Sequence, residues 1–368
     1  MTIDKIKLPF YAKATIILLG IIAAITILHV AEGIIVPVIF ALIIAILLHP
    51  VVNFMVKLRI NRVIAIIITI LLTFLVMFAF ASLLMSQVIR FSNSWPVLVE
   101  KFATIINQAT AWVSYNFEIE PQKITDWLAK TRVDIIVLGT GSIGKTLVIL
   151  GGALVVFFLI PVYIFLILYY HPILIEFIRR LFGTENREQA SEITSKIKTL
   201  IQRYLLGLII EACIMAGLEI ASLLILGIEY AVLLGIIGAL LNAIPYIGGL
   251  VAVALPMAVA LATKSSPAYA LYIMVIYYII QLFDNNYIVP KIVASKVKIN
   301  ALFSIMVVLA GNLLWGISGM FLSIPLLAIV KLICDHIEPL KPWGFLLGDS
   351  MPSILKATVN FKGIKKSK

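Results

Sequence analysis

A chain of 368 residues that is 62% hydrophobic and only 13% charged, with a mean hydropathy of +1.12, lies far outside the roughly 45–50% apolar usage of water-soluble domains. A soluble globular fold is excluded. The formal net charge of +11 would suit a nucleic-acid binder, but the Lys and Arg residues lie between apolar runs and in the C-terminal tail, where they read as topology signals facing anionic lipid.

Taken in chain order, residues 14–30, 34–52, 63–85, 146–170, 204–226 and 268–283 predict single membrane spans, each close to the ~20 apolar residues that cross a ~30 Å hydrocarbon layer. The first run lacks an Ala-x-Ala-like cleavage site and reads as a retained anchor. Lys5, Lys7 and Lys13 precede it, and Lys57, Arg59 and Arg62 follow the second run, so both flanks are expected in the cytoplasm. Residues 1–89 then hold three spans, and 90–145, with Trp95, Trp112 and Trp127, predict a small extracytoplasmic helical subdomain. The fourth span (146–170) returns to a basic stretch, 171–203, carrying Arg179, Arg180, Arg187, Lys196, Lys198 and Arg203. This stretch predicts cytoplasmic basic amphipathic helices. Residues 204–335 form the expected core transport domain, and 336–368 a cytoplasmic basic tail.

Two longer apolar runs, 230–263 and 303–333, are broken at their centres. The first holds Asn242, Pro245, Gly248 and Gly249; the second holds Asn312, Trp315, Gly316 and Gly319. Such helix breakers are tolerated at membrane depth only where protein or a water-filled cavity covers the freed backbone. Counting crossings makes each run begin and end on one side, so both predict hairpins, with Pro245, Gly248, Gly249, Gly316 and Gly319 as hinges. Aligning Asn242 with Asn312 also matches Ile247 with Ile317 and Gly249 with Gly319. Two span-plus-hairpin units of opposite orientation, an inverted repeat, are therefore expected.

Residues 139–146 match the P-loop pattern G-x-x-x-x-G-K-[ST]. A P-loop needs a parallel sheet and a Mg²⁺-binding acid, whereas a membrane span follows here, so the motif reads as a Gly-rich turn with Lys145 as an interfacial anchor. Cys213 and Cys334 have no C-x-x-C partner, and His336 beside Cys334 completes no ligand set, so no disulfide, metal or other cofactor is implied. Glu32, His29 and His49 lie near span ends and read as structural.

Glu211 and Glu219 sit near the middle of the fifth span, where a charged carboxylate costs ~2.5–3.5 kcal/mol on insertion scales and faces a bundle interior or an aqueous path. Eight residues apart, they share a broad helix face at ~80° of offset and ~12 Å of rise. Both are proton-coupling candidates. Gln281, Asp284, Asn285 and Asn286 form a dense polar cluster ahead of Pro290 and Lys291, able to coordinate a cation or hydrogen-bond a polar solute; a helix cap is the structural alternative. Asn242 and Asn312 join them as candidate ligands.

The chain from the basic stretch onward resembles the autoinducer-2 exporter family of multi-pass membrane transporters. The resemblance rests on Tyr204-Leu205-x-Gly207, Leu226-Gly227, Ile244-Pro245-Tyr246-Ile247-Gly248, Asp284-Asn285-Asn286 through Pro290-Lys291-Ile292-Val293, and Gly311, Gly316, Gly319-Met320 and Pro325-Leu326. It departs from the family pattern at Leu208, Asp284 and Gly249, where Gln, Glu and Pro are common. The resemblance implies a cytoplasmic-membrane transporter, with members associated with autoinducer-2 export and others with Na⁺/H⁺ antiport.

The sequence thus predicts an all-α polytopic membrane bundle of six crossings plus two Gly/Pro-broken hairpins and a small extracytoplasmic helical subdomain, with both termini cytoplasmic. The expected function is ion-coupled export of a small polar solute such as autoinducer-2; a Na⁺(Li⁺)/H⁺ antiporter and a non-transporting membrane scaffold are the rivals. No enzyme motif is recognisable. The expected partners are the lipid bilayer and a small solute or cation, with a homo-oligomer left open and no nucleic acid.

Overall fold

The computed structural model describes residues 9–117, 143–181, 187–242, 248–293 and 299–349. Among them the regular elements are helices: α1 (Phe10–Val30), α2 (Glu32–Lys57), α3 (Arg62–Phe117), α4 (Ile143–Leu181), α5 (Arg187–Ile225), α6 (Ala231–Asn242), α7 (Gly248–Thr263), α8 (Ala268–Phe283) with a π-helical continuation (Asp284–Val293), α9 (Ala301–His336) and α10 (Lys341–Leu347). Seven of these, α1 to α5, α8 and α9, are long and apolar enough to cross a membrane.

The seventh is folded back on itself. At Trp315 and Gly316 the backbone leaves helical geometry, Gly316 taking φ 58°, ψ −138°, a region costly for any residue with a Cβ. The Ser323 hydroxyl then donates to the Val307 carbonyl at 2.9 Å, atoms that a straight helix would hold about 24 Å apart. Gly311 and Gly319 meet backbone to backbone, so that a Cβ on either would collide with the other's carbonyl. The second broken run is a helical hairpin, as the sequence predicts, and six other helices are long and apolar enough to cross.

The first broken run gives α6 and α7, of 12 and 16 residues, or about 18 and 24 Å. Neither alone spans a ~30 Å core. A Cβ at Gly248 would strike the Leu241 carbonyl, which makes this glycine the point where the returning arm passes closest to the first. Pro245 and its neighbours 243–247 lie outside the described residues, as do residues 139–142 of the P-loop look-alike; Ile143 onward is already helix α4.

α3 runs unbroken for 56 residues, about 84 Å, so the helix that crosses the bilayer also carries Ser86 to Phe117 beyond it. The basic stretch 171–203 is likewise not a separate layer: its first part prolongs α4 and its second begins α5. The charged residues continue these helices because they pair along them, Glu176 with Arg180 at 3.2 Å and Glu192 with Lys196 at 2.6 Å. α5 stops where Gly227 takes φ 62°. There the Ile228 amide bonds to Leu223 and the Gly227 amide to Leu224, both at 2.9 Å, a Schellman cap that turns the chain into α6.

Small residues set the helix packing. Ala41, Ala45 and Ala65 bring α2, α3 and α4 together with Ile66, Ile164 and Leu168, as expected where lipid supplies no hydrophobic drive and close backbone approach must replace it. Val36, Ile43, Ile201, Tyr204, Trp315 and Leu322 join α2, α5 and the second hairpin. Leu223, Leu234, Val259, Ala260, Ile273 and Tyr277 join α5, the first hairpin and α8. α1 buries no side chain; its C-terminal end is tied to the second hairpin's tip, where the Trp315 indole donates to Leu28 O and His29 Nδ1 donates to Leu314 O, both at 2.9 Å.

Candidate functional site

Between α5, the first hairpin, α8 and the second hairpin lies a cavity of about 740 Å³. α5 supplies Tyr204, Leu208 and Glu211 at positions i, i+4 and i+7, which fall on one helix face. Glu219 follows two turns further on. α8 repeats the pattern with Tyr277, Gln281 and Asp284, and Asn285 continues it. Asn242 comes from the last position of α6, Gly249 from the start of α7, and Ala301, Ser304 and Ile324 from the two arms of α9.

Three carboxylates are buried here: Glu211, Glu219 and Asp284 are 7%, 2% and 1% exposed. The Asn242 amide links two of them, its Nδ2 donating to Asp284 Oδ2 at 3.1 Å and to Glu211 Oε1 at 3.4 Å. Gln281 Nε2 donates to the same Asp284 oxygen at 3.5 Å. Glu219 Oε2, Asp284 Oδ1 and the Tyr277 hydroxyl are buried with no hydrogen-bond partner among the described residues. Orphaned buried polar atoms are costly and rare, and here three of them line one cavity.

Gly238 explains how Glu219 fits: a Cβ there would overlap its carboxylate. The Gly249 position likewise faces Gln281, whose Oε1 would lie 3.1 Å from an added Cβ. Among the described residues no Lys, Arg or His lines the cavity to offset the acids. Such a wall can exchange protons, hold a cation, or accept hydrogen bonds from a solute rich in donors.

Asp284 stands where α8 changes register, the coil continuing for ten residues as a π-helix that contains Pro290. Extended π-helical turns are rare and concentrate at functional sites. The polar cluster therefore does not end the element at Pro290; it opens a wider coil, and this presents Asp284 and Asn285 to the cavity. Asn286 faces elsewhere, its Nδ2 bonding back to the Leu282 carbonyl at 2.7 Å.

The structure thus brings together Glu211, Glu219, Asn242, Gly249, Gln281, Asp284 and Asn285. It leaves Asn286 and Asn312 exposed and off the cavity; Gly316 and Gly319 shape the second hairpin from a distance. Tyr204, Tyr277 and Gly238 were not anticipated. Each tyrosine lies seven residues before a buried acid, and Gly238 four before Asn242, so projecting the acids along their own helix faces would have found them.

The chain matches the AI-2E family transporter profile over residues 15–338. It is 29% identical to YueF of Bacillus subtilis over 145 residues, 39% of this chain and 39% of that protein. With YrrI of the same organism it shares 28% over 150 residues, 41% and 42% of the two lengths. These two carry transport-protein names with no named solute, and the chain spans about two-fifths of their length. It is 24% identical over 214 residues to PerM of Escherichia coli K12, which carries a permease name, covering 57% of this chain and 60% of that protein. With the match extending over nearly all of its length, the chain belongs to the AI-2E transporter family.

Proposed function

We propose that this protein is an ion-coupled secondary transporter that moves a small polar solute, of which autoinducer-2 is the leading candidate, out of the cell. The reading rests on one observation: a cavity of about 740 Å³ inside a membrane bundle whose wall holds three buried carboxylates and, among the described residues, no basic side chain. Two helical hairpins facing the cavity provide the movable walls expected of a site opened alternately to either side. Glu211 and Glu219 carry the coupling proton, while Asp284, Asn285, Gln281 and Asn242 hold the cargo.

A second reading, Na⁺(Li⁺)/H⁺ antiport, is favoured by the gathering of Glu211 and Asp284 oxygens about one point, the Asn242 Nδ2 at 3.4 and 3.1 Å, because paired carboxylates suit an alkali cation. Proteoliposomes separate the two. Efflux of loaded autoinducer-2 driven by an imposed pH gradient supports the first; a pH gradient collapsed by Na⁺ or Li⁺ with no solute movement selects the second. No flux of either kind, with Glu211→Gln and Asp284→Asn behaving as wild type in cells, would leave the scaffold reading in place.

A further inference from the structure

We infer that a second site, distinct from the cavity, binds the phosphate of a net-anionic phospholipid headgroup at the end of the bundle where α2, α3, α4 and α5 converge. His49 of α2 and His171 of α4 meet ring to ring at a 39° tilt, with centroids 4.6 Å apart. Lys198 of α5 donates its Nζ to His49 Nδ1 at 2.9 Å, and Arg62 at the start of α3 donates to the Leu168 carbonyl at 2.8 Å, one turn before His171. All four side chains are half-buried.

The hydrogen-bond inventory of this cluster is one-sided. A lysine ammonium can only donate, so His49 Nδ1 is the acceptor, approached also by Asn53 Nδ2 at 3.2 Å, and its proton sits on Nε2 as another donor. Lys198 keeps two further N–H bonds, and Arg62 has most of its five still to place. Neither meets a carboxylate among the described residues: Glu176, the next acid along α4, is taken by Arg179 and Arg180, and Glu192 on α5 by Lys196. Two cations with N–H bonds still to place, beside an imidazole N–H and half-buried without an anion, suit a ligand with negative charge and several acceptor lone pairs, which a phosphate supplies.

The surroundings identify the source of that phosphate. Phe54 on α2 and Tyr170 and Leu174 on α4 expose apolar side chains on the helices that carry the two histidines, a surface for acyl chains below a headgroup. Lys57 and Arg59 flank the same end, which the positive-inside rule assigns to the cytoplasmic leaflet, where anionic lipids lie.

The test is lipid titration of the purified full chain in a neutral detergent, read as the shift in thermal unfolding. Dioleoyl phosphatidylglycerol is expected to raise the melting temperature, dioleoyl phosphatidylcholine to do so much less, and the Arg62→Gln/Lys198→Gln variant to need roughly tenfold more phosphatidylglycerol for half the effect. Arg203→Gln, an exposed charge on the same helix as Lys198, serves as control and keeps the wild-type response. Equal shifts with the two lipids, or an unchanged response in the double variant, overturns the proposal, and inorganic phosphate matching the lipid overturns its assignment to a headgroup. Should the double variant fold poorly, native mass spectrometry of the wild type from an equimolar mixture decides: preferential retention of phosphatidylglycerol supports the site and parity overturns it.

Discussion

Both hairpins follow a long helix and turn near a glycine, but they spend their glycines differently. In the α6–α7 hairpin, Gly238 leaves room for a side chain, the Glu219 carboxylate, and the arm ends in Asn242, which links two more acids. In the α9 hairpin, Gly311 and Gly319 leave room for backbone, each fitting against the other's carbonyl, and the arms offer the cavity only Ala301, Ser304 and Ile324. The first hairpin therefore places its arms against the buried acids, whereas the second supplies a closely packed wall pinned to α1 through Trp315 and His29. Substitutions in the two should fail in different ways.

The largest effect is expected at Gly319→Val, where the added atoms meet backbone that cannot swing aside. The arms would have to separate, at a cost of about 3 kcal/mol or more given that overpacking of a rigid core costs 1–3 and the Ser323 bonds to Val307 and Gly319 are strained with it. Loss of folded protein by size-exclusion profile and thermal melting is the expected result. A well-folded but inactive Gly319→Val protein would instead put this hairpin in the same class as the first.

Next come the acids. Glu219→Gln and Asp284→Asn preserve shape and remove an ionisable group whose charged form burial disfavours. Each is expected to leave the melting temperature within a few degrees of wild type while lowering gradient-driven flux at least about tenfold, the loss of roughly 1.4 kcal/mol of coupling. Gly238→Ala tests the cradle without touching an acid. Its Cβ meets the end of a flexible side chain rather than backbone, so the fold should survive while flux falls several-fold, approaching the Glu219→Gln value. Asn242→Ala should be similar in size, because it takes from Glu211 and Asp284 the donor they share; unchanged flux in Asn242→Ala would break the assignment of the first hairpin to the site.

What the sequence made legible follows from where polar and breaking residues stand against an apolar background. Glu211, Glu219 and Asp284 are conspicuous because a carboxylate in a span needs a reason, and the Gly and Pro clusters mark both turns. Helix faces were not legible in the same way. α5 and α8 are apolar nearly all round within the membrane, which erases the periodicity that reveals a buried face in a soluble helix, so only their spacing of seven from an acid marks Tyr204 and Tyr277 among the aromatic residues. The lengths of α3, α4 and α5 beyond the bilayer were hidden for the opposite reason: polarity marked the membrane boundary, while the backbone hydrogen bonds and i,i+4 pairs that continue a helix take no notice of it. The π register after Asp284 left no sequence signal other than Pro290.

The smallest expected effect is the sharpest test of the comparison. Asn242 and Asn312 occupy matching places in the two broken runs, and sequence similarity alone would give them matching roles. Asn242 sits between two buried carboxylates, whereas Asn312 is exposed on the first arm of α9, four residues before the turn at Gly316, with no cavity contact. Asn312→Ala is therefore expected to change flux by less than about twofold and stability by less than about 0.5 kcal/mol, the range of exposed substitutions. A loss as deep as that of Asn242→Ala would mean that the exposed tip of the second hairpin enters the transport path in another state of the cycle, and that the two hairpins exchange roles as the protein turns over.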